Sequence, residues 1–399
     1  MIYDYVIIGG GIIGISTAWQ LKQRQPDKSI LLIEKENALT KHQTGHNSGV
    51  VHAGVYYPPG SLKSQFCREG LVATLDFCKA KNIPYSQCGK ILVATSSLEL
   101  ERMKKLFKQC ITNELNVEWL DEKQLIEKEP NIIGLAGVLV KDTAIVDYSK
   151  ITKAMAQSFE ESGGKLQLNT EVKSIKESPE QVEIKVSTPQ GEKAIQANFL
   201  ISCSGLMADR LTKMMGIQTD FQIIPFRGEY YQLPAKHNNI VKHLVYPIPD
   251  PDLPFLGIHL TRMVDGSTTI GPNAVQGWKR EGYGKVNISL FDILEMIKFK
   301  GFWNILRKYW KTGLIETKNS WYKKGYLKRV QLYCPSLKQD DLKPYPAGIR
   351  AQAVLKDGTL VHDFLFSESP RSLHVCNAPS PAATSAIPIG SYICDKITS

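Results

Sequence analysis

The chain has 399 residues, 43% of them hydrophobic and 22% charged, which excludes extended disorder and supplies apolar side chains for a large core spread over more than one domain. Its net charge of +10 at pH 7 permits contact with anionic lipid, nucleic acid or an acidic substrate without choosing among them. The eight cysteines form no CxxC pair and none stands at zinc-ligand spacing with a histidine, which excludes a disulfide-stapled module and makes a reducing compartment the expectation.

No basic stretch precedes the first apolar run, so no cleaved leader is expected, and no apolar window reaches the roughly 18 residues that a spanning helix needs. Residues 5–8 read as a buried strand, 9–14 as a glycine turn, 15–24 as a helix and 29–33 as a second buried strand closed by Glu34, together a βαβ unit. From 40 to 60 the chain is rich in His, Gly, Asn and Tyr, a composition that suits a loop wrapped around a ligand. Residues 62–80 read as a helix. A strand region at 136–147 and a helix at 149–162 lead to strands at 166–172, 182–186 and 194–202. Between Pro225 and Pro272, prolines and aromatics punctuate short strand-like pieces, one of them at 256–260, which predicts a mostly antiparallel second domain. Residues 285–330 are of another kind. Between Lys298 and Arg329 stand ten basic residues against the single acid Glu316, an excess nearly equal to the whole net charge, with Trp303, Trp310 and Trp321 nearby or among them. Beyond 341 compact α/β patterning returns and closes on an apolar helix.

Gly9-x-Gly11-x-x-Gly14 follows a strand and opens a helix, and Glu34 stands at the end of the next strand, which is the context of a dinucleotide-binding turn. Gly9 allows the tight turn, Gly11 lets backbone amides approach a pyrophosphate, Gly14 permits close helix–strand packing, and Glu34 accepts ribose hydroxyls. An acid at 34 disfavours a 2′-phosphate. The same fingerprint serves nicotinamide and flavin cofactors, and its place at the N-terminus favours FAD.

Three further segments, in order, resemble the flavin-contacting elements of the glycine oxidase and D-amino acid oxidase superfamily: Thr44-Gly45-His46-Asn47-Ser48-Gly49-Val50-Val51-His52, Ser202-Cys203-Ser204-Gly205-Leu206-Met207-Ala208-Asp209, and Asn377-Ala378-Pro379-Ser380-Pro381. Within that superfamily, Thr44 to Tyr57, Gly60-Ser61-Leu62-Lys63, Gly348-Ile349-Arg350-Ala351-Gln352, Asp363-Phe364 and Asn377 to Thr384 are similar to the L-2-hydroxyglutarate dehydrogenase/oxidase family over essentially the full length. The resemblance implies an α/β protein with a glutathione-reductase-type, Rossmann-like FAD-binding domain (1–80, 145–215 and 340–399) and a mixed, mostly antiparallel β-sheet substrate domain (81–144 and 216–339). It also implies FAD held without a covalent bond through His46 or His52. The expected cofactor contacts are Gly9, Gly11, Gly14, Glu34, Lys35, Thr44, His46, Asn47, Ser48, Val172, Ser204, Gly205, Pro379, Ser380, Ala382 and Ala383. The implied reaction oxidises L-2-hydroxyglutarate to 2-oxoglutarate, with electrons passed to a membrane quinone or to oxygen.

The chemistry of such a substrate sets what its site must contain. Two carboxylates call for cationic or multi-donor clamps, and the secondary hydroxyl calls for a base and a hydride acceptor. Arg350 and Arg227 are the expected clamps, with Tyr57, Lys63 and Tyr246 as further donors. His52 is the expected base and His259 its rival. No GxSxG elbow, HExxH helix or clustered acid pair appears, so no metal site is expected. Oxidation of an amino acid or secondary amine remains the alternative that the same fold supports. The apolar spacing through 288–310, interleaved with lysine and arginine, suits an interfacial helix at 285–330. It suits equally a solvated helix pair that caps the substrate domain; on the first reading the expectation is a cytoplasmic protein with peripheral membrane contact, and no nucleic-acid module accompanies the charge.

Overall fold

The computed structural model describes residues 1–250 and 257–398; Leu256, where the expected strand 256–260 begins, lies outside them. Strand Ile2–Ile8 pairs in parallel with Ile30–Ile33 on one side and with Gly191–Ser202 on the other. Covered on both faces, its C-terminal half is a continuous apolar run in which Val6 and Ile7 are fully buried, as parallel strands require. Helix Ile12–Arg24 buries Ile15, Ala18 and Leu21, one per turn, between this sheet and the helices Tyr148–Glu161 and Ala386–Thr398. The sheet has eight strands, extended by Lys165–Gln167 beyond Ile30–Ile33 and by Val182–Thr188 and Glu171–Glu177 beyond Gly191–Ser202. Ser372–Asn377 also joins Gly191–Ser202, in parallel, and Leu365–Ser369 pairs with it. The stretch expected as one strand at 166–172 is two, because Asn169 takes a left-handed conformation, φ 51°, which asparagine tolerates.

A second, nine-stranded sheet carries Phe221–Gln232, Thr268–Gly271, His259–Arg262, Leu244–Pro247, Lys90–Ala94, Ala136–Val140 and Val117–Asp121 in spatial order. All these neighbours are antiparallel except Leu244–Pro247 with Lys90–Ala94. Strand Lys343–Leu355 pairs along its length with Phe221–Gln232. The segment expected as one block at 340–399 therefore divides between the two sheets. A small sheet of Val50–Val51, Ala144–Val146 and Tyr85–Ser86 lies near the junction.

The basic segment folds as helices Leu290–Lys298, Lys300–Trp321 (interrupted by non-helical backbone at Tyr309) and Lys323–Gln331. Met296, Phe302 and Ile305 pack against Ile224, Val354 and Leu360. Its other face leaves Leu290 76%, Trp310 51% and Leu314 62% exposed. No helix among the described residues is long and apolar enough to cross a membrane. The segment is anchored through charge: Arg210 pairs with Asp292 (2.5 Å) and Glu295, while buried Arg280 grips buried Asp209 and donates its own amide to Asp292 (2.8 Å).

Candidate active site

Between the two sheets lies a cavity of about 1240 Å³, lined by the glycine turn at one end and by the second sheet at the other. At the first end the backbone leaves no room for side chains. Gly9 has φ +111° and a Cβ there would lie 2.4 Å from the Cys203 carbonyl oxygen; one on Gly14 would lie 2.0 Å from that of Gly9. Helix Ile12–Arg24 is capped by Gly11 with no side-chain hydrogen bond and has no acid in its first turn, so its N-terminal dipole faces the cavity as an anion cradle. Glu34 Oε2 accepts from the Gly10 amide (2.6 Å) and Oε1 from that of Glu36 (2.9 Å). Its carboxylate is thereby fixed at the cavity wall with further lone pairs to offer. These residues fit the pyrophosphate and ribose of a flavin dinucleotide.

The loop after the ribose acid is stapled by its own side chains. Thr44 Oγ1 accepts from the Ile12 amide (3.0 Å). Asn47 donates to the carbonyls of Gln43 (3.1 Å) and Thr44 (2.7 Å) and accepts from the Gly49 amide (2.8 Å). His46 stacks on Tyr283 with ring centroids 4.0 Å apart and donates Nδ1–H to the Ala347 carbonyl (3.2 Å); burial draws its pKa down. Thr384 joins the last turn to this loop: its hydroxyl accepts from the His52 amide (3.1 Å) and meets Tyr148 Oη at 2.9 Å. Lys35 bridges Glu281 (2.5 Å) and Glu36 (2.9 Å). His42 completes this cluster, whose three ligand-type groups lie within 4.8 Å of one another, and the ammonium supplies its cation.

At the other end the second sheet brings its polar side chains to the same space. Tyr246 and His259 stack face to face, centroids 3.8 Å apart. His259 Nδ1 lies 3.0 Å from the Gly257 carbonyl; only a donor nitrogen can hold that contact, which leaves Nε2 with its lone pair. Burial above all pushes both His52 and His259 down to about 3, aided by Lys90 for His52 and by Arg350 and Lys90 for His259. Both are therefore neutral imidazoles at ordinary pH. Lys63 holds the His362 carbonyl (3.4 Å) and lies over the Tyr57 ring, 4.8 Å from its centroid. Arg350 donates to the Asn273 carbonyl (3.4 Å).

The cavity walls include Glu34, Lys35, Thr44, His46, Asn47, Ser48, Val172, Ser204 and Gly205, then Pro379, Ser380, Ala382 and Ala383, together with His52, Tyr57, Lys63, Tyr246, His259 and Arg350. Gly14 stands behind the turn, where it sets packing. Arg227, the other expected clamp, is not among the described residues that line the cavity. Gly228 and Tyr230 of its strand line the cavity with Arg350, whereas Arg227 pairs across the strands with Ile349 and turns to Glu229, its ion-pair partner two residues on. Sequence reasoning missed Arg102, Lys105 and Gln109 at the cavity wall. They share helix Ser97–Thr112, whose signal was its Ser96 cap with Glu99 three residues on.

The sequence pattern of the FAD dependent oxidoreductase family matches residues 4–396. The L-2-hydroxyglutarate dehydrogenase of Escherichia coli (strain K12) is 56% identical over 395 residues, 99% of this chain and 93% of that one. The mitochondrial L-2-hydroxyglutarate dehydrogenase of Homo sapiens is 39% identical over 410 residues, 99% of this chain and 88% of that one. Among solved structures, the dithionite-reduced L-alpha-glycerophosphate oxidase of Mycoplasma pneumoniae with FAD bound superposes with TM-score 0.80 at 21% identity, covering 100% of this chain and 95% of that one. The glycine oxidase of Geobacillus kaustophilus does so with TM-score 0.73 at 16% identity, covering 99% and 94%. At such identities these two likenesses speak for the fold alone.

Proposed function

The chain belongs to the FAD dependent oxidoreductase family, and from that premise we propose that it oxidises L-2-hydroxyglutarate to 2-oxoglutarate. The reading is carried by the 56% identity with an L-2-hydroxyglutarate dehydrogenase over 99% of the chain. One cavity that joins the dinucleotide wall to a wall of histidine, tyrosine and arginine supports it. FAD, when bound, supplies the acceptor for the hydride that leaves C2. His52 takes the hydroxyl proton as the C2–O bond becomes a carbonyl, a role supported by its place in the cavity wall. Arg350 holds one carboxylate, with Tyr57, Lys63 and Tyr246 as donors around it. The fixed tautomer of His259 favours a second assignment, in which its Nε2 is the base and His52 a positioning residue.

Anaerobic spectra of the purified holoprotein test the activity: bleaching by the L acid, and not by the D acid or by glycine, is the expected result. Bleaching by an amine alone would transfer the chain to amine oxidation. Stopped-flow reduction of His52→Ala and His259→Ala separates the two bases, the true one slowing by about a hundredfold or more.

For the electron acceptor, we propose a quinone reached at an anionic membrane surface, on which the basic helices within 285–330 settle. Exposed tryptophan and leucine beside uncompensated lysine support this. Salt-sensitive co-sedimentation with anionic vesicles is expected; its absence would leave oxygen as the acceptor.

A further inference from the structure

Strand Lys90–Ala94 is buried throughout. Ile91 and Val93 pack into the core behind the sheet, and Leu92 and Ala94 into the core on its other face. Lys90 alternates with the latter pair and is only 1% exposed. Its ammonium has no hydrogen bond or ion pair among the described residues. It lies over the ring faces of Tyr56 (4.9 Å to the centroid) and Tyr246 (5.1 Å). Both tyrosines line the cavity, with Lys90 directly behind their rings rather than in the lining itself, and among the described residues the buried Tyr56 hydroxyl has no partner.

An uncompensated cation in a protein interior is destabilising, and two aromatic faces return only part of what solvation gave it. An apolar residue would stabilise this strand better, so the charge awaits an anion from outside the protein. We propose that Lys90, with the Tyr56 hydroxyl, is the counter-charge for the second carboxylate of the substrate, and so makes the site select dicarboxylates over monocarboxylates. The inference rests on the oxidation of L-2-hydroxyglutarate for the identity of that substrate. Arg350 lines the same cavity as Tyr56 and Tyr246, so it is the cation left for the other carboxylate.

The groups facing Lys90 are Tyr56, Tyr246, His52, His259 and the thiols of Cys67 and Cys110. Burial keeps the thiols protonated, pushed up to about 12 and about 11, and holds the imidazoles neutral near 3. Lys90 is itself lowered to about 8 by burial. Affinity for a dicarboxylate should therefore weaken as pH rises above that value, once the ammonium loses its proton.

The test uses glutarate and pentanoate, five-carbon acids with two carboxylates and one, as non-oxidisable probes of the flavin spectrum in the holoenzyme. Lys90→Met should weaken glutarate by about 30-fold or more and leave pentanoate nearly unchanged, whereas Lys90→Arg keeps the preference. Without ligand, the Tm of Lys90→Met should equal or exceed that of the wild type, and glutarate should raise the Tm only where the cation remains. Tyr56→Phe should weaken glutarate in the same direction, and gives a second readout should Lys90→Met fail to fold. Equal loss of both acids in Lys90→Met, or an unchanged preference, overturns the assignment. A wild type that prefers glutarate through Lys90 but is not reduced by L-2-hydroxyglutarate would sink the proposed reaction and leave the carboxylate site standing.

Discussion

The two cavity histidines differ in how they are held. His259 is stacked on Tyr246 and tied through Nδ1 to Gly257, while His52 is tied through its backbone, whose amide donates to Thr384 and whose carbonyl accepts from the Cys67 thiol (3.2 Å). Both lie near 3 in the fold against an ordinary 6.5, so below about pH 6.5 the unfolded chain binds more protons than the folded one. Their contribution to stability is complete above that pH and is lost as pH falls toward 3. The Tm should therefore drop between about pH 7 and about pH 5, and drop less in His259→Gln, followed by circular dichroism. For the same reason the rate of flavin reduction should show no limb near the ordinary histidine value. As the proposed clamp, Arg350 carries the largest expected loss: Arg350→Met should cost about 2–5 kcal/mol in kcat/KM, with the burden in KM and FAD content unchanged.

At the scale of elements, the parts legible in the sequence are those in which chemistry and local pattern coincide. The glycine turn, Glu34 and the 44–52 loop were readable because each functional group lies within a few residues of the backbone shape it needs. Helix Leu62–Ala80 falls where its periodicity placed it. Both arginines were read as clamps, with Arg350 ahead for its glycine-rich surroundings; in the fold Arg350 lines the cavity, whereas Arg227 does not and meets Glu229. Lys90 was invisible because a lysine at the start of an apolar run reads as a strand boundary, and only the pairing with Leu244–Pro247 brings it beside Tyr246. Helix Leu62–Ala80 also carries a prediction. A Cβ on Gly70 would lie 2.2 Å from the Thr384 carbonyl oxygen, so Gly70→Ala must push the helix off the turn that carries Ala382 and Ala383. The expected result is a loss of about 1–3 kcal/mol and faster release of FAD, read from denaturant melts and from the flavin content after gel filtration.

For the whole molecule, the buried ions near Asp209 matter because they join the basic helices to the wall of the cofactor cavity. Arg280 and Asp209 are almost wholly enclosed, and Arg210, which lines the cavity, reaches Asp292 and Glu295 on the helix Leu290–Lys298. Arg280→Met would leave Asp209 buried without its cation, at a cost of about 3–5 kcal/mol, and calorimetry should find the Tm lowered accordingly. Pairing it with Asp209→Leu should recover much of the loss, because an apolar pair replaces an ionic one. Another long-range joint closes the first sheet. Helix Ala386–Thr398 packs on Ile12–Arg24, where Gln20 donates to the Ile387 carbonyl (2.9 Å) and Arg24 meets Asp395 (2.6 Å). The cofactor cradle is thus assembled from residues near 10, near 200 and near 380, the last supplied just before that helix. Synthesis must have passed the residues near 380 before the cradle exists, so FAD cannot assist the early stages of folding and is captured by a protein already carrying most of its shape.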